Sequence, residues 1–265
     1  MAAKNHIELV VKTMAVLESL AASEHGKALR DIASEVGLVK SSVFRILFTL
    51  KEAGYVEQPE ANGVYRVTLR TAGLARRNTD RLGLTEIARP HLTHLRDALD
   101  ESVALAERRQ SSVVLVDVLE TSHPLRLSFH IGDDCPIHAT ALGKAVAAFL
   151  TPEELTTFLQ GQSLAQFTAR TKTKVQHLKA ELKQSHENGY SINDEETVAG
   201  ALLIGAPLFD ATGAVCGALS INTPTARCSD TRKQSIITAV VRTAKRISKD
   251  LEDAGFTRPL PSGRS

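Results

Sequence analysis

The stretch ALRDIASEVGLVKSSVFRILFTL, residues 28–50, decides the fold of the N-terminal part of this chain. Its spacing predicts two short helices that meet at Gly37, because glycine enters the left-handed conformation that ends a helix at little cost. In the second helix, apolar residues recur at the spacing of a buried face, and they are Val43, Ile46, Leu47 and Leu50. The opposite face carries small hydroxyls and a guanidinium instead of the usual Glu and Lys.

This pattern favours a helix-turn-helix, in which the first helix holds the second in the major groove of DNA. Arg45 has the geometry to bond guanine bidentately, and Ser41 and Ser42 can reach a base or a phosphate. The residues of this helix that we predict to contact DNA are Lys40, Ser41, Ser42, Arg45 and Thr49. A two-helix corner of any helical protein has the same pattern, and it stays an alternative from these residues alone.

The flanking residues complete a winged helix-turn-helix. Residues 5–24 predict a long first helix that packs across the other two, with apolar residues at helical spacing at Ile7, Val10, Val11, Met14, Leu17 and Leu20. After Gly54, residues 55–57 and 64–69 predict two strands joined by an Asn-Gly turn. Asn62 and Arg66 of this hairpin can reach phosphate or the minor groove. For Arg66, a solvated strand face is an equal alternative.

Length and composition set limits on the class of protein. A chain of 265 residues suits two modest domains, and no apolar run approaches the ~18 residues that cross a bilayer. Met1–Val10 lacks the order of a secretory signal, and three cysteines without framework spacing fit a reducing cytosol. We therefore expect a cytoplasmic protein without membrane contact. The net charge of +2 is too small to indicate nucleic-acid binding by itself.

The rest of the chain predicts a connector and a second domain. Residues 71–84 are small, cationic and interrupted by glycine, and they predict a linker helix. Helices are predicted over 85–100, 142–150, 174–188 and 230–253, and strands over 102–107, 113–119, 125–129, 190–193, 201–209 and 214–222. This order indicates an α+β domain with a largely antiparallel sheet. The predicted domains are residues 1–70, a linker over 71–84, residues 85–255 and a flexible tail over 256–265.

Taken together, several stretches of the chain resemble the IclR family of bacterial transcriptional regulators. They are LRDIASEVGLVKSSVFRIL (29–47), GYVE (54–57), HATALGKA (138–145), GYSINDEE (189–196), APLFD (206–210) and ALSI (218–221). The resemblance runs from about residue 5 to 253 and implies a winged helix-turn-helix joined by a linker helix to a C-terminal GAF/PAS-like effector-binding domain. It also implies a homodimer or tetramer that binds a palindromic operator in double-stranded DNA. Its effector would be a small metabolite, commonly an organic acid, and no cofactor is expected.

The same resemblance implies an effector pocket in the second domain. Its residues here are Thr140, Ala141, Leu142, Asn193, Leu203, Ser220 and Asn222. Free N–H groups at the start of a helix can hold an anion, and residues that alternate on a strand share one face. At Asn193, Leu203 and Asn222, other members often have Asp, Cys and Ser, so we expect a less acidic and partly more apolar pocket. Ordinary turn and strand-end chemistry is the alternative for both asparagines.

Other chemistry has weaker support in the sequence. His130, Cys135 and His138 are residue types that hold zinc or form a nucleophile–base pair, but their spacing matches no metal signature. Asp194, Glu195 and Glu196 in a row suggest a solvated turn, so we predict no metal site and no catalytic residue. The expected function is a ligand-responsive transcriptional regulator, of the repressor type, that controls a metabolic operon. A metabolite-processing enzyme with an appended helical domain and a sensor that acts only through protein partners are the alternatives.

Overall fold

The structure is a computed structural model of the chain, and it describes residues 7–23, 25–59, 63–71, 83–160 and 163–258. The chain divides into two compact units, residues 1–81 and 82–265. Each unit has a hydrophobic core of its own. Among the described residues, no helix is long and apolar enough to cross a membrane.

The first unit contains three helices followed by a hairpin. The helices are α1 (Glu8–Ala21), α2 (Leu29–Glu35) and α3 (Lys40–Glu52), and the antiparallel strands are β1 (Val56–Glu57) and β2 (Arg66–Val67). Gly37 follows α2 with a φ of +64°, as predicted, and Gly54 follows α3 with a φ of +77°. The core includes Val43, Ile46, Leu47 and Leu50, so the predicted buried face of α3 is confirmed.

Helix α1 packs mainly through its C-terminal half. Val16 and Leu20 are buried, whereas four residues closer to the N-terminus are 50–67% exposed: Ile7, Val10, Val11 and Met14. The predicted packing of the first helix across the other two therefore involves its C-terminal half and leaves these four apolar residues exposed.

The second unit is a five-stranded sheet between two groups of helices. Its helices are α4 (Leu84–Leu99), α5 (Ala141–Ala147), α6 (Pro152–Leu159), α7 (Val175–Asn188) and α8 (Asp230–Asp253). Its strands are β3 (Ser102–Arg108), β4 (Val113–Leu119), β5 (Ser191–Asp194), β6 (Ala201–Phe209) and β7 (Val215–Pro224), and a 3-10 turn spans Thr225–Arg227. The strands lie in the order β4-β3-β7-β6-β5, and all neighbours are antiparallel. Helices α4 and α8 pack on one face of the sheet, and α5, α6 and α7 pack on the other.

Most predicted elements of this unit are confirmed, but the predicted strand at 125–129 is wrong. Residues 132–135 occupy the outer edge of β4 instead, where Gly132 N donates to Leu115 O at 2.8 Å and Cys135 N donates to Val113 O at 2.7 Å. Residues 125–129 have no backbone hydrogen bond to a strand in the described part of the chain. They form an irregular segment, and two of their side chains pack beside the candidate effector site.

Two predicted segments fall partly outside the described residues. Of the linker helix predicted over 71–84, residues 72–82 lie outside them, and Leu84 already belongs to α4. Residues 259–265 of the tail also lie outside them. The tail begins with residues bonded to the β6–β7 turn: Ala211 N donates to Phe256 O at 2.8 Å, and Arg258 N donates to Asp210 Oδ2 at 3.1 Å.

Candidate nucleic-acid interface and effector site

The outer face of α3 presents the residues that the sequence predicts to contact DNA. Lys40, Ser41, Arg45 and Thr49 are exposed and Ser42 is half-buried. Two residues that sequence reasoning missed share this surface, because Phe44 is 52% exposed and Phe48 is 57% exposed. The sequence already indicated that both are exposed, because both fall outside the buried stripe of α3. The helix therefore exposes hydroxyls, cations and two aromatic rings.

Two of the predicted DNA contacts already have partners inside the first unit. Thr49 Oγ1 donates to Arg45 O at 2.9 Å, and Arg66 Nε donates to His25 O at 3.1 Å. The Arg66 side chain lies across Gly26, where an added Cβ would be 2.6 Å from Arg66 Cγ. Arg66 thus ties the hairpin to the α1–α2 loop while remaining an exposed residue. The predicted contact Asn62 lies outside the described residues.

The seven predicted effector residues come together in the second unit. Asn193 on β5 is opposite Leu203 on β6, which is opposite Asn222 on β7. Ser220 precedes Asn222 by two residues on the same face, and its Oγ donates to Asn222 Oδ1 at 2.9 Å. Ala141, at the start of α5, packs against Leu203 and brings Thr140 and Leu142 beside it. The strand register therefore assembles residues that are far apart in the sequence.

Six of these residues are buried, and Thr140 is partly exposed. Asn193 and Ser220 are 0% exposed and Asn222 is 2% exposed. Within the described part of the chain, Asn222 Nδ2 has no hydrogen-bond partner. A buried donor left without a partner costs about 1–3 kcal/mol. The site thus contains an unused amide donor that an oxygen of a ligand would satisfy.

Asn193 and Thr140 are already engaged in local structure. Asn193 Oδ1 accepts from Glu196 N at 2.8 Å, and its Nδ2 donates to Thr197 Oγ1 at 2.7 Å, so its side chain organises the turn after β5. Thr140 Oγ1 accepts from Gly143 N at 2.9 Å and caps α5. Because this cap uses one of the first N–H groups, the helix start offers an anion fewer donors than the sequence suggested.

Sequence reasoning missed a buried ion cluster next to this site, and the predicted solvated turn is wrong for Glu196, which is 3% exposed. Lys144 on α5 is 0% exposed, and its Nζ donates to Glu181 Oε1 at 2.7 Å and to Glu196 Oε1 at 2.6 Å. It also donates to Ile192 O at 2.5 Å. The ammonium group therefore joins α5 to α7, to β5 and to the turn that Asn193 organises. The one sequence signal was a lysine inside a small, apolar run.

The possible metal or nucleophile group does not assemble. His130 is exposed, and His138 Nε2 bonds to Ala165 O at 2.9 Å. Burial raises the pKa of the Cys135 thiol to about 12, with further contributions from Asp133 and Asp134. A thiol with that pKa stays protonated at neutral pH and is a poor nucleophile or ligand. Among the described residues, no group of three or more His, Cys, Asp or Glu side chains is placed to hold a metal ion.

Comparison with known proteins identifies the family. The model of the bacterial transcriptional regulator IclR C-terminal domain matches residues 76–249, and the model of the IclR helix-turn-helix domain matches residues 9–60. The chain belongs to the IclR family. The transcriptional repressor IclR of Escherichia coli K12 is 29% identical over 248 residues, which cover 93% of this chain and 90% of that protein. The family expected from the sequence is therefore confirmed.

Solved structures of IclR-type proteins share the fold. A transcriptional regulator from Rhodococcus sp. RHA1 is 28% identical with a TM-score of 0.78, and the match covers 94% of this chain and 100% of that one. An IclR homolog from Microbacterium hydrocarbonoxydans, solved in complex with 4-hydroxybenzoate, gives a TM-score of 0.77 at 22% identity, covering 92% of this chain and 99% of that one. An N-terminal helix-turn-helix domain followed by an α+β domain is thus the fold of this IclR-family regulator.

Proposed function

We propose that this IclR-family protein binds a palindromic operator as a dimer and represses a metabolic operon until a small organic acid binds its second unit. The observation that carries the DNA-binding part is the outer face of α3. That face presents hydroxyls, cations and two aromatic rings to solvent, while the opposite face is fixed in the core of the first unit. A helix held in this way can enter a major groove without unfolding its own domain.

The exposed residues of α3 have different roles in this proposed contact with DNA. Arg45 reads guanine, Ser41 and Ser42 contact bases or phosphates, and Lys40 anchors the helix on phosphate. Phe44 and Phe48 add apolar surface that suits the methyl group of thymine. The remaining proposed contacts are Thr49 of α3 and Asn62 and Arg66 of the hairpin. Since Arg66 Nε is bonded to the α1–α2 loop, only the rest of its guanidinium is offered to a phosphate.

The exposed part of α1 supports a dimer. Ile7, Val10, Val11 and Met14 follow the i, i+3, i+4, i+7 spacing of one helical face, and all four are at least half exposed. A contiguous apolar face of this kind marks an interaction site. A second copy of the chain would bury it and would place two α3 helices for the two halves of a palindrome. A tetramer would pair two such dimers.

The effector part of the proposal rests on Asn222. Its Nδ2 is a buried donor with no partner among the described residues, and a carboxylate oxygen is a suitable acceptor. Ala141 and Leu203 supply an apolar wall, while Ser220 orients the Asn222 amide. A short acid with a small apolar body fits this combination. Repression is proposed because the E. coli relative is named a repressor. Release of the protein from DNA requires that the acid bind one arrangement of the protein more tightly than the other.

Footprinting on the DNA upstream of the gene tests the DNA-binding part. Wild-type protein should protect two symmetric half-sites, more weakly as salt rises. Arg45→Ala should weaken binding by about 1–3 kcal/mol, roughly five- to 150-fold. Arg30→Ala is the matched control, because Arg30 is an exposed arginine of the same unit that lies on α2. Equal binding by the two variants would contradict the assigned role of α3.

Calorimetric titration tests the effector part. The titrants are 4-hydroxybenzoate and a series of short carboxylates, added to the full-length protein. An acid that binds should do so about 10- to 100-fold more weakly to Asn222→Ala, since a hydrogen bond to a charged group is lost. Asn188→Ala is the control, because Asn188 is an exposed asparagine at the end of α7. An acid that binds Asn222→Ala as well as the wild type would remove Asn222 from the site.

A further inference from the structure

The proposed effector site lies beneath an irregular segment, residues 122–131. Leu127 and Phe129 of this segment pack on the apolar wall formed by Ala141, Ala201 and Leu203. Leu203 is only 5% exposed beneath them, and its strand neighbour Asn222 is 2% exposed. A ligand therefore reaches the Asn222 amide only after the segment moves.

Both ends of the segment are firmly attached to the sheet. At the start, Thr121 N donates to Ser102 Oγ at 3.1 Å, and Thr121 Oγ1 donates to Asp100 O at 3.0 Å. At the end, Gly132 N donates to Leu115 O at 2.8 Å. Between these anchors, no backbone hydrogen bond joins residues 122–131 to a strand in the part of the chain that the structure describes. A segment that is fixed at its ends and free of strand pairing in the middle can open locally.

A side chain from the turn after β7 bonds to the backbone in the middle of the segment. Arg227 Nη1 donates to Leu125 O at 2.7 Å. The same guanidinium is fixed from behind by Glu101, which accepts from Arg227 Nε at 3.1 Å and from Nη2 at 2.7 Å. Glu101 is 0% exposed and gives the arginine a rigid base. Arg227 lies in the 3-10 turn directly after β7, the strand that carries Asn222.

We propose that residues 122–131 are a lid over the effector site and that Arg227 is the latch that holds the lid shut. The site becomes accessible when the bond between Arg227 and the carbonyl of Leu125 breaks. A bound acid then satisfies the Asn222 amide, which has no partner in the closed form within the described residues. This inference rests on the proposed effector site, but its test needs no ligand.

The test measures how often the site opens, by thiol labelling of the folded full-length protein. Leu203→Cys places a reporter thiol under the lid, and Cys228→Ser removes the partly exposed native thiol beside Arg227. Adding Arg227→Gln should speed reaction of the reporter with a disulfide reagent about 10- to 100-fold, the equilibrium effect of losing a hydrogen bond to a charged group. Arg227→Lys, which keeps a cationic donor, should fall between the two.

Two controls separate a latch from a general structural anchor. Arg126→Gln removes the other arginine bond of the segment, an exposed pair with Glu120 at 2.9 Å, and should change the reporter rate less than twofold. The buried native thiol of Cys216 lies in the core on the opposite face of the sheet, and its rate should not change. The proposal is overturned if Arg227→Gln leaves the reporter rate unchanged, if Arg126→Gln has the same effect, or if Cys216 accelerates in parallel. If the lid responds as expected and no acid binds in calorimetry, only the effector proposal fails.

Discussion

Replacing Lys144 by methionine tests the buried ion cluster of the second unit. Methionine has a similar length but no charge, so it removes the three bonds of the ammonium to Glu181, Glu196 and Ile192. Glu196 has a side chain that is 5% exposed, so its carboxylate would stay buried and lose its main counter-charge. Lys144→Met should therefore destabilise the unit strongly.

The size of the loss follows from what each carboxylate retains. Removing one partner of a buried ion pair costs about 3–5 kcal/mol. Glu181 keeps a second cation, because Lys172 Nζ lies 2.9 Å from its Oε2. We therefore expect the lower end, about 3 kcal/mol, or roughly 6–12 °C in the melting temperature of a unit of this size. A loss of that size leaves a folded protein to measure, since domains have about 5–15 kcal/mol of stability.

Scanning calorimetry and urea unfolding of the full-length protein give this loss, with two further variants for comparison. Lys183→Met is the matched control on α7, because the Lys183 side chain is 77% exposed, and its change should stay within about 0.5 kcal/mol. Lys144→Met combined with Glu196→Gln should recover part of the loss, because the second change removes a buried charge whose remaining cation, Lys172, is 3.7 Å away. A loss below about 1 kcal/mol for Lys144→Met, or a double variant no more stable than the single one, would refute the reasoning.

Three further predictions concern the elements around the site. Gly143→Ala would place a Cβ 2.6 Å from the carbonyl oxygen of Pro136, so the midpoint of urea unfolding should fall with a loss of about 1–3 kcal/mol; an unchanged midpoint would contradict that close approach. Thr151→Ala removes the side chain that caps α6 in a capping box and should cost about 1 kcal/mol in thermal unfolding followed by circular dichroism. Burial raises the pKa of Glu154, but the hydrogen bonds from Arg108 and from the Thr151 backbone outweigh it, so the pKa lies below the ordinary 4.5. The stability that this carboxylate adds is therefore complete above that value and is lost as the pH falls through the lowered pKa. The gap in melting temperature between wild type and Glu154→Gln should narrow from pH 7 to pH 3, whereas a constant gap would argue against the Arg108 pairing.

Local patterns were enough to predict most elements and the exposed face of α3. The buried stripe of α3 and the strands at 113–119 and 201–209 follow from residue spacing within one element. Gly37 and Gly189 end helices with positive φ values of +64° and +76°, which glycine adopts at little cost. Such features depend on neighbours in the sequence, so they are visible before the fold is known.

Predictions about partners were less secure, because partners come from distant parts of the chain. The apolar stripe of α1 was visible in the sequence, but how much of it other elements cover depends on how the unit packs. The strand predicted at 125–129 is absent, and residues 132–135 are the ones that bond to β4. The sequence also could not distinguish Asn193 from Asn222. The amide of Asn193 is bonded within a turn, whereas Asn222 Nδ2 has no hydrogen-bond partner among the described residues.

By itself, the sequence determined two domains, a helix-turn-helix with an exposed polar face, and membership of the IclR family. Only the tertiary structure decided that Lys144 is fully buried, that Asn193, Leu203 and Asn222 form one buried row across three strands, and that Arg227 bonds to the segment above Leu203. The partners of Lys144 are 37 and 52 residues away in the chain, and Arg227 is 102 residues from Leu125. Periodicity reports which face of an element is buried, but the identity of the groups across from that face is set by how the elements pack.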